Sequence, residues 1–160
     1  MAIEVRIETA TIDDVPLLLS LIRALAEYER MSDEVLATDT RLRDTLFGVA
    51  PCAEAVIARV EHEAVGFALW FHNYSTFLAR PGLYLEDLFV LPDWRGRGVG
   101  AALLRHLARV ALERDCGRIE WSVLNWNESA IGFYRRINAR PLDEWTTYRL
   151  AGDDLRRLAT

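Results

Sequence analysis

The chain has 160 residues, 51% hydrophobic and 10% aromatic, and its 19 cationic side chains, all arginine, stand against 24 Asp and Glu for a net charge of −5. Such an apolar share excludes a disordered chain and fits one domain with a real core. The absence of lysine excludes Schiff-base or lysine-nucleophile chemistry and any phosphate loop that needs its lysine, and the acidic balance argues against a nucleic-acid binder.

Ile3, Val5 and Ile7 alternate with Glu4, Arg6 and Glu8, the period of a half-buried strand; a secretory leader would not carry those charges. Thr11 to Asp14 reads as a capping box with Asp in place of Glu, and Val15, Leu18, Leu19, Ile22, Leu25 and Ala26 carry an amphipathic helix on to Glu29. A shorter helix is predicted over Thr38 to Phe47, ended by Gly48. Ala55 to Val60 and Val65 to Phe71 read as hairpin strands around Glu61-His62-Glu63, and Leu83 to Leu91 as a third strand ended by Pro92. The rhythm then changes to a helix over Gly98 to Arg114, a strand over Arg118 to Leu124 and a helix over Glu128 to Arg136. A strand over Trp145 to Leu150 and a short helix over Asp153 to Ala159 complete the chain.

No linker or repeat interrupts this order, so residues 1–160 are expected to form a single domain. Its class is α/β (α+β): a mixed sheet with helices on both faces, in which Leu83–Leu91 and Arg118–Leu124 run parallel across the intervening helix. Cys52 and Cys116 are read as buried, reduced thiols of a cytoplasmic protein. His62, His72 and His106 are scattered, so no metal site is assigned. The charge-free stretch Ala64 to Ala79 is broken by His72, Asn73, Ser75 and Thr76 and falls short of the ~20 apolar residues of a membrane span.

Chemistry concentrates in Leu91-Pro92-Asp93-Trp94-Arg95-Gly96-Arg97-Gly98-Val99-Gly100, which joins an apolar strand to a strong helix. A helix start presents free N–H groups and positive dipole, glycines admit a phosphate to the backbone, and Arg95 and Arg97 add guanidinium donors. The segment is therefore read as an anion site in preference to a solvated turn. Gly96-x-Gly98-x-x-Ala101 also satisfies the loose dinucleotide pattern, but only about sixty residues follow, too few for the remaining units of a nucleotide-binding doubly wound fold.

Arg95-x-x-Gly98-x-Gly100 resembles the acyl-CoA signature of the GNAT superfamily of N-acetyltransferases, and Asn127-Glu128-Ser129-Ala130-Ile131-x-Phe133-Tyr134 resembles its second signature at the right distance. Tyr84-Leu85-Glu86-Asp87-Leu88-Phe89-Val90, Leu25-Ala26-x-Tyr28-Glu29 and Trp126-Asn127-Glu128 are similar to the spermidine/spermine (diamine) acetyltransferases and their thialysine-acetylating relatives. The resemblance runs in order along nearly the whole chain. It implies a mostly antiparallel sheet of six to seven strands whose central pair, Leu83–Leu91 and Arg118–Leu124, splays apart.

The resemblance further implies acetyl-CoA as cosubstrate, attacked directly by an amine in a ternary complex. Backbone groups of Leu88, Phe89 and Val90 would bind the thioester and pantetheine, and an N–H there would polarise the acetyl carbonyl. Arg95, Gly96, Arg97, Gly98, Val99, Gly100 and Ala101 would hold the pyrophosphate, with Asn127, Ser129 and Ala130 near the CoA arm. Tyr134 matches the family's general acid, and a phenol suits a departing thiolate because their ordinary pKa values are about 10 and about 8.5; by helix pattern alone it would read as a core aromatic beside Phe133. Glu86 is the candidate base, since alternation places it with Tyr84 and Leu88 among large apolar side chains that should raise its pKa; a salt-bridged surface carboxylate is the other reading. Asp87, on the other face, could equally be structural.

Residues 1–50 hold ten acids against five arginines, an acidic excess suited to a cationic substrate and located where the family places its contacts, at Tyr28 and Glu29, although for most of the ten an ordinary solvated helix face is the preferred reading. The polyamine enzymes carry an acidic pair that aligns here with Trp145 and Thr146, while Asp143 and Glu144 stand two places earlier. Tyr74-Ser75-Thr76-Phe77 looks more like the thialysine branch, adding Ser75 and Thr76 to the candidate substrate contacts. Asn138 stands where the family usually has Gly, and Asn tolerates the left-handed conformation. The reading is an N-acetyltransferase for a small cationic or amino-acid-like amine, acting as a homodimer without nucleic acid or membrane. A protein or peptide amine acetyltransferase and a non-catalytic acetyl-CoA-binding module are the alternatives.

Overall fold

The alternating amino-terminal segment forms the outer strand of a five-stranded sheet. The computed structural model describes residues 3–160. In chain order these form β1 (Val5–Thr9), α1 (Val15–Tyr28), α2 (Asp39–Phe47), β2 (Glu54–Val60), β3 (Glu63–Ser75) and β4 (Arg80–Val90). They continue with α3 (Val99–Glu113), β5 (Ile119–Glu120), α4 (Glu128–Arg136) and α5 (Gly152–Leu158). The strands lie in the order β1-β2-β3-β4-β5, with the first three pairings antiparallel and β4–β5 parallel.

The mixed, mostly antiparallel sheet is thus the expected one, but five strands stand among the described residues where six to seven were expected. Trp145 to Leu150 forms no strand there. Every residue of that run is exposed, so its β-branched and aromatic side chains have no packed face to reward pairing. The strand expected over Arg118–Leu124 contracts to Ile119–Glu120, because its pairing with β4 is limited to Leu83↔Ile119 and Tyr84↔Glu120. β4 itself runs on to Val90.

Two compact units are distinguished, one ending at Ser122 and one over Val123–Thr160. In the first, alternate strand positions face opposite ways. Ala55, Ile57, Phe67, Leu69 and Phe89 meet Leu18, Leu21 and Leu25 of α1 and Leu46 of α2. The other sheet face receives α3 through Val99, Leu103, Leu104, Leu107 and Ala111, and Gly100 stands against the side chains of Val90 and Leu88. Phe67, Leu18, Leu103 and Leu107 are fully buried, each worth about 1.5–3 kcal/mol. The capping box closes as read: the Thr11 N–H donates to Asp14 Oδ2 at 2.8 Å just ahead of α1.

One irregularity positions the site. Leu69 pairs with Asp87 and Trp70 with Leu85, so Glu86 is an extra residue, a β-bulge in β4. In the second unit, Asn127 Oδ1 caps α4 by accepting from the Ala130 N–H at 3.2 Å. Asn138, with φ 62°, takes the left-handed position after α4, where the Ala139 N–H donates to Tyr134 O at 3.1 Å. Both cysteines are free thiols; Cys116 is partly buried and Cys52 is exposed, against the expectation of two buried thiols.

Candidate active site

The glycine-arginine loop folds as an open cradle. Pro92–Trp94 forms a single 3-10 turn, Gly96 and Gly98 take φ of 72° and 88°, and α3 begins at Val99. A side chain with a Cβ is strained at either φ, whereas the space in front of both glycines is open: a Cβ there would meet nothing within 4 Å. The first intrahelical bond of α3 runs from the Ala102 N–H to Gly98 O at 2.9 Å, so the N–H groups of Val99, Gly100 and Ala101 precede the helix ladder. Such a loop fits the pyrophosphate of a nucleotide cosubstrate. The two arginines differ. Arg97 lies over Trp94, 5.2 Å from the ring, and Trp94 Nε1 donates to Glu63 at 3.2 Å. Arg95 reaches away from the loop to Tyr28, its guanidinium carbon 4.1 Å from that ring.

An acidic cluster stands beside this arrangement. The bulge turns Asp87 to the sheet face that carries Phe89 and α1, where burial lifts its carboxyl from 3.8 to about 6, with repulsion from Glu86 and Glu29 adding to the effect. Glu29, the C-cap of α1, also has a raised pKa through burial. Tyr28 packs on Phe89 with ring centres 6.3 Å apart. The arrangement corrects one expectation about position: Glu86 is exposed, and the bulge removes it from the alternation that would have set it among apolar residues. Asp87, given no role by the strand pattern, is the half-buried, desolvated carboxyl of the pair. The adjacent acids Glu86-Asp87 within an apolar strand were the available signal, and only the register decides which one turns inward.

The remaining predicted residues fall into groups. Leu88, Phe89 and Val90 pair with Ala68, Phe67 and Gly66 on the β3 side, and beyond Tyr84 the opposite edge of β4 has no ladder partner among the described residues. Edge N–H groups on such a segment can bind an acyl oxygen. Ser75 and Thr76 are not brought to the acidic cluster. They sit at the β3–β4 turn, and the six residue steps of β3 from Leu69 to Ser75 span about 20 Å. Ser75 is buried and its Oγ accepts from the Leu78 N–H at 3.2 Å, a turn-holding bond. In the second unit Ser129 and Ala130 lie in the first turn of α4, and Tyr134 is half-buried with its ring centre 5.7 Å from that of Phe133.

The family model for the acetyltransferase (GNAT) family matches residues 19–138. The chain belongs to the GNAT family. It is 36% identical to a thialysine N-epsilon-acetyltransferase of Bos taurus over 89% of both chains. An L-ornithine N5-acetyltransferase of Arabidopsis thaliana is 31% identical over 96% of this chain and 87% of its own. Among solved structures, an integron cassette protein from the mobile metagenome of V. cholerae superposes with a TM-score of 0.78, 27% identity and 97% coverage of each chain. The protein is therefore a GNAT-type N-acetyltransferase, and its family uses acetyl-CoA as cosubstrate. The cradle suits that group through its open glycines and its helix start. Among the described residues no group of three or more potential metal ligands occurs, and no helix is long and apolar enough to cross a membrane.

Proposed function

We propose that this N-acetyltransferase moves the acetyl group of acetyl-CoA to the primary amine of a small cationic, amino-acid-like substrate of the thialysine or ornithine kind. The observation that carries the reading is the cluster of Glu29, Glu86 and Asp87 beside the anion loop, in an enzyme whose relatives are named for thialysine and ornithine. A cation is attracted to such a cluster. The Glu86-Asp87 pair then takes the ammonium proton, Asp87 being the member brought close to neutral pH by burial. The freed amine nitrogen attacks the thioester carbonyl, an N–H of β4 near Leu88 polarises that carbonyl, the C–N bond forms and the C–S bond breaks. Tyr134 gives its phenolic proton to the CoA thiolate, and the second proton lost by the acylated nitrogen restores the phenol.

In this reading Arg97, Gly96, Gly98, Val99, Gly100 and Ala101 bind the pyrophosphate, while Asn127, Ser129 and Ala130 serve the CoA arm. The two units form one acetyltransferase domain, supported by a family match that runs through both. The enzyme is a homodimer, supported by the exposed Phe77 and Leu78 of the β3–β4 turn, and cytoplasmic, supported by its free thiols. A CoA-release assay over thialysine, lysine, ornithine, diamines, polyamines and short peptides tests the substrate class. The amino-acid-like amines should give the highest kcat/KM; preference for peptides, or no turnover despite acetyl-CoA binding, would overturn it.

A further inference from the structure

We propose that Arg95 is a positioning residue for the amine side of the site: its guanidinium fastens the carboxyl end of α1 to the end of β4, and so holds Glu29 and Asp87 in one acidic subsite. That this subsite receives the amine is the reading proposed above, on which the inference rests.

Three contacts converge on this one side chain. Its guanidinium carbon lies 4.1 Å from the Tyr28 ring and 5.5 Å from the Phe89 ring, and its Nε–H donates to Val90 O at 2.9 Å. A planar guanidinium can stack through its faces while donating in its plane, so these contacts do not compete. Each aromatic partner leads to a carboxyl. Tyr28 is the last residue of α1 and Glu29 caps that helix, its N–H bonded to Leu25 O at 2.9 Å, so displacing Tyr28 displaces Glu29. Phe89 and Asp87 lie on one face of β4, two residues apart beyond the bulge. Arg95 thus ties the loop that receives the cofactor anion to both arms of the acidic cluster. Arg97, alike in sequence, stacks within the loop on Trp94 and has no such connection.

The test compares Arg95→Ala, Arg95→Lys, Tyr28→Leu, the double variant Arg95→Ala/Tyr28→Leu, and Arg97→Ala. Arg95→Ala and Tyr28→Leu should each raise the amine KM about fivefold, the size of one cation–π contact, with acetyl-CoA KM changed by less than about twofold. The double variant should match the worse single one, because both remove the same link. Arg95→Lys should behave like Arg95→Ala, since it keeps the charge and loses the planar fork. Arg97→Ala should raise acetyl-CoA KM instead. A rise confined to acetyl-CoA KM in Arg95→Ala, full rescue by Arg95→Lys, or single effects that multiply would each overturn the proposal.

A second readout needs no turnover. Carboxyl 13C NMR of Asp87, faced by Glu86 on its own strand and by Glu29 from α1, should show it titrating at lower pH in Arg95→Ala as Glu29 withdraws. An unchanged titration overturns the strut. An unmodified chain that acetylates no amine defeats the substrate reading alone and leaves the strut to the NMR result.

Discussion

Replacing Asp87 by Asn keeps the side-chain shape and removes the charge, which separates what the carboxylate costs the fold from what it does in the reaction. Burial beside Glu86 and Glu29 lifts this carboxyl from 3.8 to about 6 in the folded chain. The folded state therefore holds the proton more tightly than the unfolded chain does. Linkage fixes the sign: this group's contribution is level below about pH 4, turns unfavourable as pH rises from about 4 to about 6, and stays so above. The interval between the two pKa values is worth up to about 3 kcal/mol at about 1.4 kcal/mol per pH unit. Asp87→Asn should then be more stable than the parent at pH 7.5 by up to about 3 kcal/mol, and match it near pH 4. Urea unfolding followed by fluorescence of the five tryptophans reads this difference, with a midpoint displaced by about 1.5 M for a slope near 2 kcal/mol/M. The same variant should lose at least about a hundredfold in kcat if Asp87 takes the ammonium proton. A stability difference that is the same at pH 4 and pH 7.5 would refute the burial argument, and an unchanged kcat would refute the role in proton transfer.

Three other substitutions probe separate links. Tyr134→Phe should lower kcat about a hundredfold with acetyl-CoA KM nearly constant, and an unaltered kcat in the CoA-release assay removes its role as acid. Gly98→Ala forces a Cβ onto φ 88° at a strain of about 1–2 kcal/mol and into the open space of the cradle. The chain should remain folded with a slightly lower Tm while acetyl-CoA KM rises about tenfold; normal affinity would place the anion elsewhere. Gly66→Ala sets a Cβ 2.5 Å from Phe89 O and 3.3 Å from Val90 Cα, so β3 and β4 must separate where the site is built. It should cost at least about 2 kcal/mol in chemical denaturation, and a neutral result would show that the two strands can yield.

What could be read in the sequence follows from which interactions are local. The α1 stripe, the Thr11–Asp14 box, the glycine loop before α3 and the left-handed Asn138 all depend on neighbours a few residues away, and all occur where they were read. The failures are long-range. Arg118–Leu124 has strand composition, but its length depends on how far β4 remains alongside, and pairing covers two positions only. Trp145–Leu150 is rich in aromatic and β-branched residues and still forms no strand, since composition does not supply a partner for it.

The choice between Glu86 and Asp87 shows the same limit at the chemical centre. Period-two alternation assumes an unbroken ladder, and a single extra residue reverses the facing of everything beyond it. Reading backward from Phe89, which packs with α1, places Asp87 inward; reading forward from Tyr84 would have placed Glu86 with Leu88. The backward reading holds and the forward one fails at the bulge at Glu86, which leaves Tyr84 and Leu88 on opposite faces. The consequence is energetic as well as geometric. An inward Asp87 lies under α1 near Glu29, so the fold carries an unfavourable pair of carboxyls at neutral pH. In the proposed reading, a bound ammonium would relieve that repulsion by reaching both groups, which would tie substrate charge to the contact between α1 and β4. Arginine suits such a contact where lysine would not: its planar group is held by Tyr28 and Phe89 while its Nε–H is used by Val90. At this contact, the lysine-free composition leaves the fastening of α1 to β4 to a guanidinium.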